Sequence, residues 1–216
     1  MSVSKDPSGN WMASARYKDY AGKVKQKFND SKVSIHNRPN IINLKSRIYD
    51  FEGDTVLGGI GEGLLITMVD RKSKLLIARK SLTKESEMVK NSIITAFKLA
   101  EIPVYSITLD NGSEFSRFKE IESELDTNIY FCDPRSPWQR GLNENTNDIL
   151  RFFFPKGCNF LEISDEEIQS VVNLINNRPR KCLGFLSPLQ FLSNKCCTWF
   201  ALFWYNNLVP YRESDV

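Results

Sequence analysis

Residues 47–59 read RIYDFEGDTVLGG, a stretch that alternates apolar and polar residues and ends at a pair of glycines. Alternation with a period of two is typical of a strand with one buried face, and the glycine pair favours a turn directly after it. Two further β-rich runs follow at hairpin spacing, GLLITMVDRKSK and KLLIARKSL. The sequence therefore predicts that the fold begins with an antiparallel meander of three strands.

Beyond this meander the chain alternates helical and strand patterns. TKESEMVKNSIITAFKLAEIP and FSRFKEIESEL have a helical period, and each precedes a short β-rich run, in VYSITLDNGSEF and in NIYFCDP. Further helices are predicted in SPWQRGLNENTNDILRFFF, in SDEEIQSVVNLINNRP, where Ser164 suits an N-cap, and in SPLQFL. This order predicts an α/β domain in which a mixed five-stranded sheet is flanked by helices.

Composition divides the chain into three parts: a basic N-terminal arm at 1–40, a core at 41–193 and an atypical apolar C-terminal tail at 194–216. The arm is polar, and we expect loops or a short helix there. Between residues 16 and 47, nine basic residues stand against two acidic ones, although the whole chain carries only +3. A basic segment suits a phosphate backbone, but a solvated terminus has the same composition.

Composition also argues against several kinds of site. His36 is the only histidine, and it lies away from any nucleophile motif, so chemistry that needs histidine is not indicated. The five cysteines have no zinc-site spacing, and no signal peptide opens the chain, so we expect reduced, cytoplasmic thiols. The apolar run CCTWFALFWY is shorter than the roughly 20 residues that span a bilayer, so we predict no membrane segment.

Three acidic residues stand where an α/β sheet often carries a site. Asp54 lies in the first strand pattern, Asp110 ends the fourth, and Glu144 lies in the helix after the fifth. Mg²⁺ prefers carboxylate oxygens, and two such ions can activate the attacking oxygen and stabilise the leaving one in phosphodiester displacement. The residue types alone fit an Asp-Asn-Gly turn and solvated surface charges equally well. Asp50 and Glu52 also share a strand face with Asp54.

The helix that carries Glu144 has a polar face whose members recur at helical spacing: Arg140, Glu144, Asn147 and Arg151. A carboxylate and two arginines on one face suit a metal ion beside a DNA phosphate. A second face, made of Leu142, Ile149 and Phe153, is predicted to pack against the core.

Several separate motifs resemble the catalytic core of bacterial transposases of the insertion-sequence-thirty (IS-thirty) family. They are SIHNRP, DFEGDTV, TLDNGSEF, CDPRSPWQRGLNENTNDILR and NNRPRKCLGFLSPLQFL. They occur in the order that the family has, cover about residues 34–193, and leave 33 residues between Asp110 and Glu144. The resemblance implies a ribonuclease-H-like fold shared with retroviral integrases. It also implies strand cleavage at transposon ends followed by strand transfer into target DNA.

The resemblance further implies a set of site residues. The catalytic and metal-ligating carboxylates are Asp54, Asp110 and Glu144, which hold Mg²⁺, or alternatively Mn²⁺, as two ions. By the same resemblance Trp138, Arg140 and Arg151 are DNA contacts, with Gln139, Asn143 and Asn145 as further support residues. Asn147, on the polar helix face, and Lys72 are also predicted to contact DNA. The expected partners are DNA and further copies of the transposase, in the cytoplasm and associated with the nucleoid.

Some features depart from the family pattern. Asp148 stands where the motif has glycine, and the tail after Leu192 does not match the usual ending. The helix-turn-helix segments that precede the core in the family have no room in 216 residues. Two alternatives therefore stay open: an inactive or truncated fragment that binds DNA or other copies, and a related nuclease that hydrolyses without joining.

Overall fold

In the computed structural model of the protein, the described residues are 2–5, 11–18, 24–29, 32–134 and 136–195. The predicted apolar tail lies outside the described residues from residue 196 onward, so it stays a prediction. Within the described ranges, no helix combines the length and the hydropathy needed to cross a bilayer.

The amino-terminal segment forms a three-stranded antiparallel sheet. Its strands are β1 (Ser2–Lys5), β2 (Trp11–Lys18) and β3 (Val24–Asn29), with β2 in the centre. The prediction of loops or a short helix for residues 1–40 is therefore wrong for these three strands, whereas a short 3-10 helix does lie within that range, at Ile35–Asn37. Apolar and polar residues alternate with a period of two from Ala13 to Lys18, a strand pattern that a prediction based on polar composition does not take into account.

The main sheet has six strands in the order β4-β9-β8-β5-β6-β7. They are β4 (Val33–Ser34), β5 (Asp50–Leu57), β6 (Leu64–Asp70), β7 (Leu76–Ser81), β8 (Ser106–Leu109) and β9 (Asn128–Phe131). β5, β6 and β7 form the predicted antiparallel meander, whereas β8 and β9 pair in parallel with their neighbours. The five predicted strands are confirmed, and the two-residue β4 adds a sixth at the edge beside β9.

Helices cover both faces of this sheet. They are α1 (Asn40–Asn43), α2 (Ser86–Ala100), α3 (Phe118–Leu125), α4 (Gly141–Phe153), α5 (Asp165–Asn177) and α6 (Pro188–Lys195). Short 3-10 segments connect them, and one of these, Pro137–Arg140, leads directly into α4. The predicted start of α5 is confirmed, because Ser164 forms a capping box with Glu167.

The alternation of β5 separates two hydrophobic cores. Phe51 belongs to the core under α2 and α3, whereas Val56 belongs to the core under α4 and α5. Because Asp54 is an even number of residues from Val56, its side chain lies on the face that α4 covers. The first strand pattern therefore directs Asp54 towards the helix that carries the predicted third carboxylate.

The buried face of α4 differs from the predicted one. Leu142 and Ile149 pack only at the margin of the second core, and Phe153 is exposed. The side chains that α4 buries are instead Asn143, Thr146 and Leu150. Two of these three are polar, so the spacing of apolar residues could not reveal the face.

Asn176 ties α5 to the edge of the main sheet. Its side-chain amide donates to the backbone oxygen of Leu76 and accepts from the backbone nitrogen of Leu76, each at 2.8 Å. Both partners are buried, and the amide makes the two backbone hydrogen bonds that a residue of a neighbouring strand would make.

We expect Asn176→Ala to lower the free energy of unfolding by about 2–4 kcal/mol, because it leaves a buried N–H and a buried C=O without partners. Asn177→Ala is the matched control, since Asn177 is exposed, and it should change stability by less than about 0.5 kcal/mol. Urea denaturation measures both. Equal effects of the two substitutions would contradict the role given to Asn176.

Candidate active site

The parallel pairing of β5 and β8 brings two predicted site residues side by side. The register pairs Phe51 with Ile107 and Glu52 with Thr108. Continued by two residues, this register puts Asp54 level with Asp110, which follows β8 directly. Two carboxylates thus meet where β8 leaves the sheet, the usual place for a site in such a fold.

Arg140 bridges the two carboxylates. Its Nη1 lies 3.0 Å from Asp54 Oδ1 and its Nη2 lies 3.1 Å from Asp110 Oδ2. Nη1 also donates to the backbone oxygen of Gly53 at 3.1 Å. Burial disfavours the charge of this guanidinium, but Asp54 and Asp110 outweigh that effect and raise the pKa of Arg140. The arginine therefore neutralises part of the charge that the two strands bring together.

The second oxygen of Asp54 is held by a relay from the next strand. Asn147 Nδ2 donates to Asp54 Oδ2 at 2.9 Å, and the hydroxyl of Thr67 donates to Asn147 Oδ1 at 3.1 Å. Thr67 is fully buried and pairs with Asp54 across the β5–β6 ladder. Because the amide oxygen is engaged, the amide nitrogen is directed at the carboxylate.

The second oxygen of Asp110 is held by the backbone of the following turn. The Gly112 N–H donates to Asp110 Oδ1 at 2.8 Å. A Cβ at Gly112 would lie 2.4 Å from a carboxylate oxygen of Glu114 and 2.9 Å from Asp110 Oδ1, so a side chain there would force both carboxylates to shift. Glycine at this position therefore leaves room for the observed orientation of Asp110.

The acidic residues of β5 differ sharply in exposure. Asp50 and Glu52 are 1% and 2% exposed. Asp50 pairs with Arg47 at 2.8 Å, and Glu52 lies 3.2 Å from Arg71, whose side chain is itself buried. The side chain of Asp54 is 24% exposed. Asp50 and Glu52 thus form internal ion pairs, and Asp54 is the carboxylate of β5 that solvent and a substrate can reach.

Glu144 makes no hydrogen bond or ion pair with Asp54, Asp110 or Arg140 within the described residues. It lies in the first turn of α4 and is exposed to solvent. Among the described residues, no three or more histidine, cysteine, aspartate or glutamate side chains form a group that could hold a metal ion. The structure therefore links Asp54 and Asp110 through Arg140, and the place of Glu144 as a third ligand stays a prediction.

The remaining predicted contacts occupy different places. Trp138 is 74% exposed and lies two residues from Arg140. Arg151 donates to the backbone oxygen of Leu57 at 2.7 Å, near the far end of α4. Lys72 lies in the turn between β6 and β7, at the end of the sheet where β5 begins, so it is remote from Asp110.

The support residues also separate. Gln139 and Asp133 exchange two hydrogen bonds, of 2.8 and 3.0 Å, which fix the loop after β9. Asn143 is fully buried and its amide makes no hydrogen bond within the described chain, whereas Asn145 is exposed.

A cavity of about 330 Å³ lies beside the pair. Its lining residues are Asp110, Asn111, Gly112, Cys132, Asp133, Pro134, Ser136 and Arg140. Burial raises the pKa of Cys132 to about 12, so its thiol stays protonated at neutral pH. Asn111 donates to the backbone oxygen of Cys132 at 2.6 Å and holds this wall in place.

The donor set of the pair suits a divalent cation. Mg²⁺ is commonly held by one or two carboxylates together with water and substrate phosphates. The Arg140 guanidinium already lies against both Asp54 and Asp110, which shows that positive charge is accommodated between them. Asp54 and Asp110 therefore fit a Mg²⁺ or Mn²⁺ ion.

Sequence reasoning missed two contributors to this site. Thr67 is the one polar residue inside the apolar run LLITMV, and that interruption was the available signal. Lys32 is buried, with its Nζ 4.2 Å from the centre of the Phe131 ring. Burial lowers the pKa of Lys32 to about 8, although the nearby charges of Asp110 and Glu114 oppose this shift.

Comparison with known proteins gives several sequence relatives. The transposase for insertion sequence element IS4351 of Bacteroides fragilis is 40% identical over 161 residues, which are 74% of this chain and 49% of the relative. Transposase InsI for insertion sequence element IS30A of Escherichia coli K12 is 37% identical over 159 residues, 73% of this chain and 41% of the relative. The chain thus spans about half the length of the curated relatives it matches or less. No family model matches it.

Solved structures share the fold at low identity. The catalytic core domain of BIV integrase matches with a TM-score of 0.52 and 18% identity, over 68% of this chain and 95% of that domain. A chain of the simian T-cell lymphotropic virus intasome in complex with PP2A regulatory subunit B56 gamma has a TM-score of 0.54 and 18% identity, over 77% of this chain and 58% of that chain. The ribonuclease-H-like fold is therefore confirmed.

Lys32→Met tests the burial of charge beside the site. The pKa of Lys32 is about 8 in the folded chain and 10.5 ordinarily. Between pH 8 and pH 10.5 unfolding therefore takes up a proton at Lys32, so the contribution of Lys32 to the free energy of unfolding of the wild type rises with pH over this range. We expect the variant to be more stable than wild type at pH 7 by roughly 1–3 kcal/mol, and this advantage to shrink by pH 10.

Urea denaturation at pH 7 and pH 10 measures the difference. Lys119→Met is the control, because Lys119 also lies near a phenylalanine ring, 5.2 Å from that of Phe118, but is exposed. It should change stability by less than about 0.5 kcal/mol at either pH. A constant difference between wild type and Lys32→Met would contradict the predicted shift.

Proposed function

This chain is related to the IS-thirty transposases over about three quarters of its length, and from that premise we propose that it catalyses metal-dependent cleavage and joining of DNA strands at transposon ends. The observation that carries the proposal is the Asp54–Asp110 pair, two reachable carboxylates set level by adjacent parallel strands. One guanidinium contacts both carboxylates, so they form a shared site and not two separate surface charges.

The residues of the pair have distinct parts in this proposal. Asp54 and Asp110 would hold a divalent ion, and Glu144 would be the third ligand by resemblance to the family. When bound, the ion supplies positive charge for the attacking and leaving oxygens of the phosphodiester. Asn147 and the Gly112 N–H orient one oxygen of each aspartate, so the other oxygens stay directed at the shared space.

The proposed substrate is DNA, at the transposon ends and at the target. Trp138 is exposed next to Arg140, where an indole ring can stack on an unpaired base and the guanidinium can meet a phosphate. Arg151, Asn147 and Lys72 are further proposed contacts, although Lys72 lies at the other end of the sheet. Association with further copies of the chain on DNA, in the cytoplasm, belongs to the same proposal.

A specific observation favours a second candidate. Glu144 is exposed, and no hydrogen bond or ion pair joins it to Asp54, Asp110 or Arg140 within the described residues. This observation suits a catalytically inactive protein that binds DNA or other copies. The two candidates differ in one measurement, since the inactive protein binds transposon-end DNA without cutting it.

We expect Asp54→Asn and Asp110→Asn each to reduce Mg²⁺- or Mn²⁺-dependent nicking of end DNA by more than about 100-fold, because each substitution removes a direct ligand of the metal ion. This loss of activity should exceed that caused by removing a residue that only orients a ligand. Asp148→Asn is the control, since Asp148 is an exposed acid on α4. A gel assay with end-labelled duplexes and a target plasmid measures nicking and joining separately.

Unchanged nicking in Asp110→Asn would rule out the proposal. Nicking without joining by the wild type would point to the related nuclease. Binding of end DNA without either reaction would establish the inactive protein.

The relay behind Asp54 gives a second prediction. Thr67→Val keeps the shape of a fully buried side chain but removes the donor to Asn147, so the amide no longer has one fixed orientation. We expect roughly 10-fold lower activity and a higher metal concentration for half-maximal rate. Thr127→Val is the matched control, because Thr127 is buried and its hydroxyl makes no hydrogen bond within the described chain.

A purely structural role for Thr67 would lower stability while leaving the metal dependence unchanged. The proposed role therefore fails if the metal dependence of Thr67→Val matches that of wild type. It also fails if Thr127→Val shifts the metal dependence equally.

A further inference from the structure

The four carboxylate oxygens of Asp54 and Asp110 are held by two kinds of donor. Neutral groups hold one oxygen of each: the Asn147 amide at 2.9 Å and the Gly112 N–H at 2.8 Å. The other two, Asp54 Oδ1 and Asp110 Oδ2, lie 3.0 and 3.1 Å from Arg140. Removing Arg140 would thus free one oxygen on each carboxylate and leave both side chains anchored.

Those two oxygens are also the ones that a divalent cation would need. A cation held by both aspartates and a guanidinium bound to both would compete for the same negative charge, and they would repel each other at short range. We infer that Arg140 is an exchangeable counter-ion, which occupies Asp54 Oδ1 and Asp110 Oδ2 until a divalent cation displaces it. This inference rests on the proposed function of the pair as a metal site.

The position of Arg140 allows the exchange. It is the last residue of the 3-10 segment that precedes α4, with φ of −125° and ψ of 31°, so its backbone lies outside the helix. Its side chain also lines the cavity of about 330 Å³ beside Asp110. The guanidinium therefore has space to enter without movement of either hydrophobic core.

The ion pairs of Arg140 are more exposed to solvent than the buried ion pair of Arg71. The Arg71–Glu52 pair is buried on both sides, with side chains 6% and 3% exposed. The side chains of Asp54 and Asp110 are 24% and 35% exposed, and that of Arg140 is 16% exposed. An ion arriving from solvent can reach the Asp54–Asp110 pair, whereas breaking the Arg71–Glu52 pair would leave a buried charge alone.

Titration of the full chain with Mn²⁺, followed by electron paramagnetic resonance, tests the exchange without any DNA. We expect Arg140→Gln to bind Mn²⁺ at least about 10-fold more tightly than wild type, because the ion no longer has to break a charge-assisted hydrogen bond. The metal-free variant should melt at a lower temperature than wild type, and Mn²⁺ should raise its melting temperature by more.

Arg117→Gln is the matched control. Arg117 also contacts two carboxylates, those of Glu87 and Glu120, at 2.6 and 2.9 Å, and the substitution changes net charge by the same amount. It lies outside the proposed site, so it should bind Mn²⁺ as wild type does. Tighter binding by both variants would mean a general charge effect and would overturn the exchange.

Arginine side-chain NMR of the wild type supplies an independent readout, which decides the question even if Arg140→Gln fails to fold. Saturating Mg²⁺ should move the Arg140 Nε–H signal towards that of solvent-exposed arginines. If that signal stays while the ion binds, or if Arg140→Gln binds Mn²⁺ no more tightly than wild type, the exchange is wrong and the metal site stands. If neither protein binds Mn²⁺, the metal site and the proposed function fail together.

Discussion

Parallel pairing of β5 and β8 places Asp54 and Asp110 level with each other, so that two negative charges share one end of adjacent strands. Several neighbouring groups hold them there. A guanidinium bridges the pair, a buried threonine and an asparagine fix one carboxylate, and a glycine turn fixes the other. These donors hold both carboxylates in fixed orientations, as a binding site requires.

Two other acidic residues of the same sheet are buried, unlike Asp54. Asp50 and Glu52 lie on the face of β5 that carries Asp54, but each is buried against an arginine. Exposure therefore changes steeply along one strand, from internal ion pairs at its start to a reachable carboxylate at its centre. A substrate can meet one acid of β5, and the other two hold the end of the sheet together.

Much of the fold could be predicted from the sequence, because strong period-two and helical patterns decide local structure in the core. The five strands and the N-cap at Ser164 were predictable for that reason. β4 was not, since a two-residue strand has no period, and the buried face of α4 was not, since Asn143 and Thr146 occupy it. In the site, strand ends and family motifs pointed to Asp54 and Asp110. The bridging by Arg140 could not be predicted, because it depends on side-chain rotamers of three separate elements. Glu144 lies in the predicted helix, but the exposure of its side chain depends on how that helix packs.

The Asn176 amide on the β7 edge has a consequence for assembly. Exposed sheet edges invite strand addition from other chains, and this edge is closed at Leu76 by a side chain that imitates a backbone. A strand arriving from another molecule would have to expel that amide and the helix behind it. Strand addition along β7 at Leu76 would therefore require α5 to move away from the sheet.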